Sequence, residues 1–308
     1  MSATTDGASS AVSAVSAVTA VDARPRKGGR RLPLAWLGAV PFLAYVGIFL
    51  LLPTAIVVVG AFNGPNGLTL DTLKGLTDDN IVQSFIKSIE LSGASAIIGA
   101  VFGALLAYAI VSGKPDSALR RFVTSACGVL AQFGGVTLAF AFIATIGGAG
   151  LVTVFLAGHG IDTGADVWLF ELPGLTLVYS YFQIPLMVLV FLPALDGIRP
   201  QWREATDTLG GTGWDYWRHV AAPILWPSFL GATLLLFANA FSAYATVAAL
   251  VSQGGIIVPL QIAAALTSET GAVNTGFGKA LALGMVVIVS LVMTGYVLLS
   301  RKSARWQR

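Results

Sequence analysis

The chain has 308 residues, of which 56% are hydrophobic and only 11% are charged, and its net charge is +3. A soluble domain carries about 25% charged residues, so this composition excludes a soluble globular protein and indicates an integral membrane protein. The small net charge gives no indication of nucleic-acid binding. The single cysteine, Cys127, excludes an internal disulfide, and no Cys/His spacing typical of a metal site occurs.

The N-terminal region predicts a basic cytoplasmic tail over residues 1–31. Residues 1–23 are mostly Ser, Ala, Val and Thr, a composition typical of disorder. A secretory signal would carry its basic residues before the apolar region. Here the basic residues follow the Ala/Val stretch and directly precede the first long apolar run, so we interpret them as the anchor of a first span. They are Arg24, Arg26, Lys27, Arg30 and Arg31.

Charge-free intervals predict six membrane-spanning helices, because a bilayer core of roughly 30 Å takes about 20 helical residues. The predicted spans are 34–62, 91–113, 122–146, 172–195, 224–251 and 280–300. The second is rich in Gly and Ala, which indicates close helix packing. Two shorter apolar pieces, 151–157 and 256–267, predict re-entrant or surface helices. The predicted fold class is therefore an all-α integral membrane bundle of six helices.

The distribution of basic residues predicts that both termini are cytoplasmic. The segments then facing the cytoplasm hold all but three of the 18 Lys and Arg residues, the exceptions being Lys74, Lys87 and Lys279. Within the predicted spans ionisable residues are lacking, and Glu90 lies at the outer end of the second. Ion-coupled carriers usually keep such residues at mid-depth, so we expect the energy for any transport to enter from outside the bilayer.

The longest polar interval in the second half of the chain is 204–223. Gly210 and Gly211 interrupt a helical composition, since glycine is costly in a helix and cheap in a turn. Thr212 is a candidate N-cap for a second helix, in which Trp214 and Trp217 share one face. We predict a short amphipathic helix held parallel to the membrane. Local physics leaves open a plain cytoplasmic loop with an aromatic interface anchor.

This interval resembles the coupling loop of permease subunits in binding-protein-dependent type I ABC importers. That family carries Glu-Ala-Ala, three residues, Gly, nine residues and Ile-x-Leu-Pro. The chain has Glu204-Ala205-Thr206, Gly210 and Val220-Ala221-Ala222-Pro223 at this spacing. It departs from the pattern at the second Ala and at the Ile and Leu. The resemblance extends over residues 82–300 as the importer core, with the coupling loop at 197–223. The first span with its outer loop, 32–81, precedes this core, and a basic tail, 301–308, follows it.

The resemblance implies the type I ABC importer permease fold and a place in the bacterial plasma membrane. It implies two cytoplasmic ATPase subunits, a second permease, identical or homologous, and an extracytoplasmic solute-binding protein as partners. ATP and Mg would be bound by the ATPase, and no cofactor by this chain, which lacks a phosphate-binding G-x-x-x-x-G-K-[ST] loop and is not expected to be an enzyme. The expected ATPase-coupling residues are Glu204, Ala205, Gly210, Thr212, Trp214, Trp217 and Pro223.

Polar and aromatic residues inside the predicted spans are candidates for the translocation path, although ordinary hydrogen bonding between helices explains them equally well. They are Gln132, Tyr179, Tyr181, Gln183, Asn239, Ser242 and Tyr244. Residues 241–262 resemble the spermidine/putrescine subgroup and its relatives for phosphonates, iron and thiamine. This predicts a polyamine or another small polar solute as the substrate.

Two other classes of function fit the sequence less well. A self-contained channel or ion-coupled secondary transporter would call for charge within the bilayer or an internal repeat, and the sequence carries neither. An intramembrane enzyme would need a nucleophile and a base on one side of the membrane. His159 and His219 are predicted to lie on opposite sides, and neither has a nucleophile motif nearby.

Overall fold

The structure is a computed structural model that describes residues 35–64, 67–68, 74–113, 117–161, 164, 168–251, 257–267 and 275–304. The predicted tail 1–31, with its basic cluster, lies outside these ranges. The chain divides into two compact units, Met1–Thr54 and Ala55–Arg308.

The first predicted span is a continuous helical run with a widened turn in the middle. Helix α1, Ala35–Val46, passes through a π-helical turn, Gly47–Leu51, into helix α2, Leu52–Gly60. Pro53 has no N–H, and its ring crowds the carbonyl one turn earlier, which accounts for the wide turn directly before it. The run contains the candidate span Val40–Gly60 and agrees with the predicted first span.

The remaining elements are mostly helices. A short antiparallel pair, β1 (Asn63–Gly64) with β2 (Gly67–Leu68), and a 3₁₀ turn, Gly75–Thr77, follow the first span. The helices are α3 Asp79–Ser112, α4 Ala118–Gln132, α5 Gly135–Ile146, α6 Leu151–Ala157, α7 Leu172–Asp196, α8 Pro200–Thr208, α9 Gly213–Tyr216, α10 Ala222–Ser242, α11 Ala245–Leu250, α12 Val258–Thr267 and α13 Thr275–Ala304.

Helices α3 and α7 pack at very short distance through glycines of α3. A Cβ atom at Gly99 would lie 2.6 Å from Cβ of Gln183, and one at Gly103 would lie 2.5 Å from Cβ of Met187. Glycines four residues apart let helix backbones approach in a membrane, where close packing replaces the hydrophobic driving force. The close packing predicted for the second span is therefore confirmed.

The predicted single helix over 122–146 is wrong. Helix α4 ends at Gln132, Phe133 and Gly134 interrupt the chain, and α5 starts at Gly135, whose φ of +70° favours glycine. The candidate span runs instead over Gly135–Ala157 and includes α6, which the sequence assigned to a re-entrant or surface piece. The interval is free of charge throughout, so charge alone did not mark where the membrane helix begins.

The predicted fifth span, 224–251, also contains a break. Helix α10 ends at Ser242, Ala243 is extended, and α11 starts at Ala245. The Gly135 N–H, at the start of α5, donates a hydrogen bond to Thr246 Oγ1 at 3.0 Å. The interruptions in the third and fifth spans thus lie beside each other, as expected where irregular backbone is satisfied inside a membrane protein.

Among the described residues the buried apolar side chains form three clusters, two of which lie along α7. One contains Tyr179 and Phe182 of α7 together with residues of α5, α10 and α11. The other contains Met187 and Val188 of α7 together with residues of α3, α4 and α10. Gln183 lies on α7 at the point where one cluster gives way to the other, and it is fully buried.

Hydrogen bonds join the last two helices to the core helices. The Val258 N–H at the start of α12 donates to Ser88 Oγ of α3 at 2.9 Å. The Tyr296 hydroxyl of α13 donates to the Pro227 carbonyl of α10 at 3.0 Å. Helix α12 is a ten-residue apolar helix, too short to cross, as the sequence predicted.

Six candidate spans result, in agreement with the predicted number, and the described chain is an all-α integral membrane protein. They are Val40–Gly60, Asp79–Val111, Gly135–Ala157, Leu172–Asp196, Gly213–Ser242 and Gly276–Leu298. The cytoplasmic position of both termini stays a prediction from charge.

Candidate functional site: the loop between α7 and α10 and the exposed face at the helix breaks

The turn between α8 and α9 is held by backbone hydrogen bonds. The Gly211 N–H donates to the Thr206 carbonyl, and the Gly210 N–H donates to the Asp207 carbonyl, both at 3.0 Å. Gly210 has a φ of +77°. This is the Schellman arrangement, in which a glycine in the left-handed conformation ends a helix. The glycine break predicted at 210–211 is confirmed.

The following helix starts with a reciprocal cap. The Asp215 N–H donates to Thr212 Oγ1 at 3.3 Å, and the Thr212 N–H donates to Asp215 Oδ2 at 2.9 Å. This capping box satisfies two backbone donors that would otherwise lack partners. The predicted N-cap at Thr212 is confirmed.

The expectation of a separate helix lying parallel to the membrane is wrong. Helix α9 runs through a π-helical turn, Trp217–Ala221, directly into α10, and Pro223 lies within the first turn of α10. Inside a continuous helix proline lacks the N–H for the usual hydrogen bond and its ring crowds the preceding turn, so the π-helical turn before Pro223 accommodates it, as the one before Pro53 does in the first span. The result is one continuous helix, Gly213–Ser242, which starts in the polar loop and ends inside the membrane body.

The two tryptophans of the loop have different surroundings, although their spacing predicts a shared face. The Trp217 ring packs edge-to-face against Tyr108 of α3, with ring centroids 5.1 Å apart. The Trp214 side chain is 71% exposed. Trp217 therefore fixes the loop to the membrane body, and Trp214 is free to contact another molecule.

Several neighbouring loop residues are exposed on the outside of the turn. We call them the loop surface: Glu204, Ala205, Leu209, Gly210 and Trp214. Leu209 was not among the predicted site residues, yet its side chain is 88% exposed. The sequence signal was available, since Leu209 is an apolar residue at the predicted glycine break of a polar interval.

An ion pair joins the helix ends beside the loop. Arg120 Nη2 lies 2.6 Å from Asp196 Oδ2 and 2.8 Å from Oδ1, which links the first turn of α4 to the last residue of α7. Ser117 caps α4 by accepting from the Arg120 N–H at 3.2 Å. Lys114, which the charge distribution places in the same predicted cytoplasmic segment as Arg120, lies outside the described residues.

Two of the candidate path residues are buried and bonded to backbone. The Tyr179 hydroxyl donates to the Ala243 carbonyl at the break after α10, at 2.8 Å. Gln183 Nε2 donates to the Leu236 carbonyl at 2.8 Å, while its Oε1 finds no hydrogen-bond partner in the described part of the chain. These contacts support the alternative reading of the two residues as interhelical hydrogen-bonding groups.

The other five candidate path residues are exposed. Gln132 ends α4, Ser242 ends α10 and Tyr244 follows the second break, so three of them flank the interruptions. Asn239 lies one turn before the end of α10. Tyr181 packs edge-to-face on Phe142 of α5 with centroids 5.8 Å apart. We call these five residues the path face; they carry amide and hydroxyl groups and no carboxylate.

No family model matches the chain, whereas individual proteins are similar to most of it. The sulfate transport system permease protein CysW of Synechococcus elongatus is 27% identical over 289 residues, covering 90% of this chain and 92% of that protein. CysW of Escherichia coli K12 is 24% identical, covering 88% and 89%. The molybdenum transport system permease protein ModB of Mycobacterium bovis is 23% identical, covering 71% and 80%.

These relatives are named for sulfate and molybdenum transport, so the expected spermidine/putrescine subgroup is not supported. The relatives are transport permeases and not enzymes. Among solved structures, a bacterial ABC transporter that imports alginate matches with a TM-score of 0.69 at 17% identity, covering 87% of this chain and 95% of that chain. The MetNI methionine ABC transporter matches with a TM-score of 0.54 at 18% identity, covering 73% and 96%. The chain thus has the fold of ABC importer permeases and is a multi-pass protein of the bacterial inner membrane.

Proposed function

We propose that this chain is a permease subunit of an ATP-driven importer and forms half of its translocation pathway. The observation that carries the proposal is the similarity of this chain to a sulfate permease over 90% of its length. The rival assignments, a self-contained channel and an ion-coupled carrier, would call for ionisable groups deep in the membrane. The path face consists of neutral groups.

In this proposal the loop surface docks onto a cytoplasmic ATPase. Leu209 and Trp214 offer exposed apolar side chains in the same loop as the exposed carboxylate of Glu204. The Schellman turn and the capping box hold these residues in one conformation before any partner arrives, which reduces the entropy lost on binding. A pre-formed apolar contact of this kind is suited to a protein groove.

The continuous helix Gly213–Ser242 would carry the movement of the loop into the membrane body. At 1.5 Å per residue its 30 residues span about 45 Å. One end holds Trp214 and the other holds Ser242 of the path face. Trp217, packed on Tyr108, joins the same helix to α3, so the loop and the membrane helices would move together.

The assembly would contain two ATPases, a second permease and an extracytoplasmic binding protein. Support for these kinds of partner comes from the alginate importer, described with a bound periplasmic protein, and from the MetNI transporter. ATP and Mg would be held by the ATPase subunits, and this chain would bind no cofactor. The loop, and both termini, would face the cytoplasm in accordance with the distribution of basic residues.

The proposed substrate is sulfate or molybdate, a tetrahedral oxyanion, in place of a polyamine. The names of the relatives support this choice. The chemistry of the path face is compatible with it, since hydroxyl and amide groups donate hydrogen bonds to oxyanions and carboxylates would repel them. A polyamine cation would instead call for carboxylates on this face.

The test is uptake of radiolabelled sulfate by cells that lack their own sulfate importers and express this chain with its neighbouring transport genes. We expect ATP-dependent sulfate uptake that molybdate inhibits and putrescine does not. Inhibition by putrescine, with none by molybdate, would overturn the substrate assignment.

Gly210→Asn tests the docking role in the same assay. Asparagine tolerates the left-handed conformation, and no atom of this chain lies within 4 Å of a Cβ at Gly210, so the turn keeps its shape and only the outer surface changes. We expect a strong loss of uptake with normal membrane insertion. Gly213→Asn, also without neighbours within 4 Å, is the matched control and retains uptake. Unchanged uptake by Gly210→Asn would count against docking.

A further inference from the structure

An apolar groove of about 460 Å³ opens between α3, α7 and α10. Its walls are Leu105 and Tyr108 of α3, Leu195 of α7 and Phe229 of α10, with Trp217 and Trp226 at its rim. Such a groove at the surface of a soluble protein would be an unfavourable exposed patch. In a membrane protein it is a place where a hydrocarbon chain can lie.

The groove faces away from the path face. Trp226 and Ser242 both lie on α10 and are 16 residues apart, which at 100° per residue places them roughly 160° apart around the helix axis. Asn239 lies on the same side as Ser242. If the path face lines a translocation pathway shared with the second permease, the groove on the opposite side of α10 is turned toward the lipid.

The length of the groove fits the inner half of a bilayer. The lining runs from Val101 to Tyr108 on α3 and from Ala222 to Phe229 on α10. Each stretch rises about 10 Å, against about 15 Å for half of the hydrocarbon core. The end nearest the loop is bordered by Tyr108 and Trp217, the residue types that mark the membrane interface.

Two arginines lie beside that end. Arg218 follows Trp217 directly in the chain, and Arg203 is close enough to Tyr216 to interact with it electrostatically, as is Tyr108 of the groove wall. Both arginines are exposed, and neither forms an ion pair within the described ranges. Guanidinium groups at headgroup depth attract the anionic lipids of the cytoplasmic leaflet.

We propose that this groove binds one anionic phospholipid, with an acyl chain along α3 and α10 and the phosphate beside Arg203 and Arg218. The lipid completes the packing around Trp217, the residue that fixes the loop to α3. A lipid thereby becomes part of the connection between the loop surface and the membrane body. The leaflet assignment and the lipid-facing orientation of the groove rest on the proposed function.

Native mass spectrometry of the complete transporter, purified in mild detergent from membranes containing phosphatidylglycerol, tests the proposal. We expect one phosphatidylglycerol retained per copy of this chain. Ala222→Phe fills the groove from an exposed position and abolishes retention. Arg218→Gln leaves the groove open and weakens retention about fivefold, the effect of one basic residue near a membrane surface.

Ala264→Phe is the matched control, because Ala264 is exposed on α12 outside the groove, and it retains the lipid. Equal retention in Ala222→Phe and Ala264→Phe would overturn the groove, and a preference for phosphatidylcholine would overturn the anionic headgroup. The readout does not depend on uptake, so an incorrect assignment of the substrate or of the ATPase contact leaves this result unaffected.

Discussion

Replacing Tyr179 by Phe removes one buried hydroxyl and leaves the shape of the core unchanged. The lost bond is the 2.8 Å contact to the Ala243 carbonyl, which fixes the break after α10. A buried hydrogen bond contributes about 1 kcal/mol, and those measured between membrane helices average about 0.6 kcal/mol. We expect the variant to unfold at a temperature about 1–2 °C lower, measured by scanning fluorimetry on the detergent-purified complex, with uptake close to that of the wild type below this temperature.

Tyr181→Phe is the matched control, because this residue lies two positions along α7 and its ring contact with Phe142 survives the change. Its side chain is exposed, so we expect no shift in the unfolding temperature. If both variants lost equal stability, the buried hydrogen bond would not be the cause. If Tyr179→Phe lost uptake at full stability, the residue would belong to the path after all.

Three further predictions concern the packing of the membrane body. Gly103→Ala forces a methyl group against the Met187 side chain and the backbone of α7 and should destabilise the purified complex by about 1–3 kcal/mol. Gly93→Ala is the control, because a Cβ atom at Gly93 would have no described neighbour within 4 Å, and it should not destabilise the complex. Equal melting temperatures of the two variants would refute the close contact. Gln183→Met removes an unpaired buried oxygen together with the Nε2 hydrogen bond to the Leu236 carbonyl, and because the two effects offset each other it should cost less than about 1 kcal/mol; a large destabilisation would indicate an unseen partner for that oxygen. Asp196→Asn breaks the partly exposed ion pair with Arg120 and should cost at most about 1 kcal/mol. High salt weakens this ion pair in the wild type, so it should reduce the difference in stability between the wild type and the variant.

The number of spans could be predicted because charge is expensive in a bilayer and its absence is visible in the sequence. The loop could be predicted because Gly210 and Thr212 determine its turn and helix start through local backbone geometry, which the sequence shows directly. What could not be predicted were the interruptions near Gly134 and Ala243. A helix break inside an apolar interval changes neither charge nor composition, and it is stabilised by contacts distant in sequence, such as that of Gly135 with Thr246.

The path candidates show a second limit of the sequence. Helix α7 is apolar on all sides, so no periodicity distinguishes its buried positions from its exposed ones. Tyr179 and Gln183 are buried while Tyr181 between them is exposed, a difference that depends on where α3 and α10 pack. The substrate subgroup could not be predicted from residues 241–262 either, because the described part of this stretch contains the break after Ser242, and its composition reflects that break as much as any solute.

The two apolar clusters along α7 meet at Gln183, whose side-chain amide oxygen is buried and unpaired among the described residues. The apolar packing is interrupted at this level, because no group that the structure describes offsets the burial of that oxygen, even though Gly99 brings the backbone of α3 against the Cβ atom of Gln183. Helices that carry one polar level between two apolar clusters should bend at that level before either cluster is disrupted. Backbone amides near residues 183 and 236 should accordingly exchange their hydrogens sooner than those at the centre of either cluster.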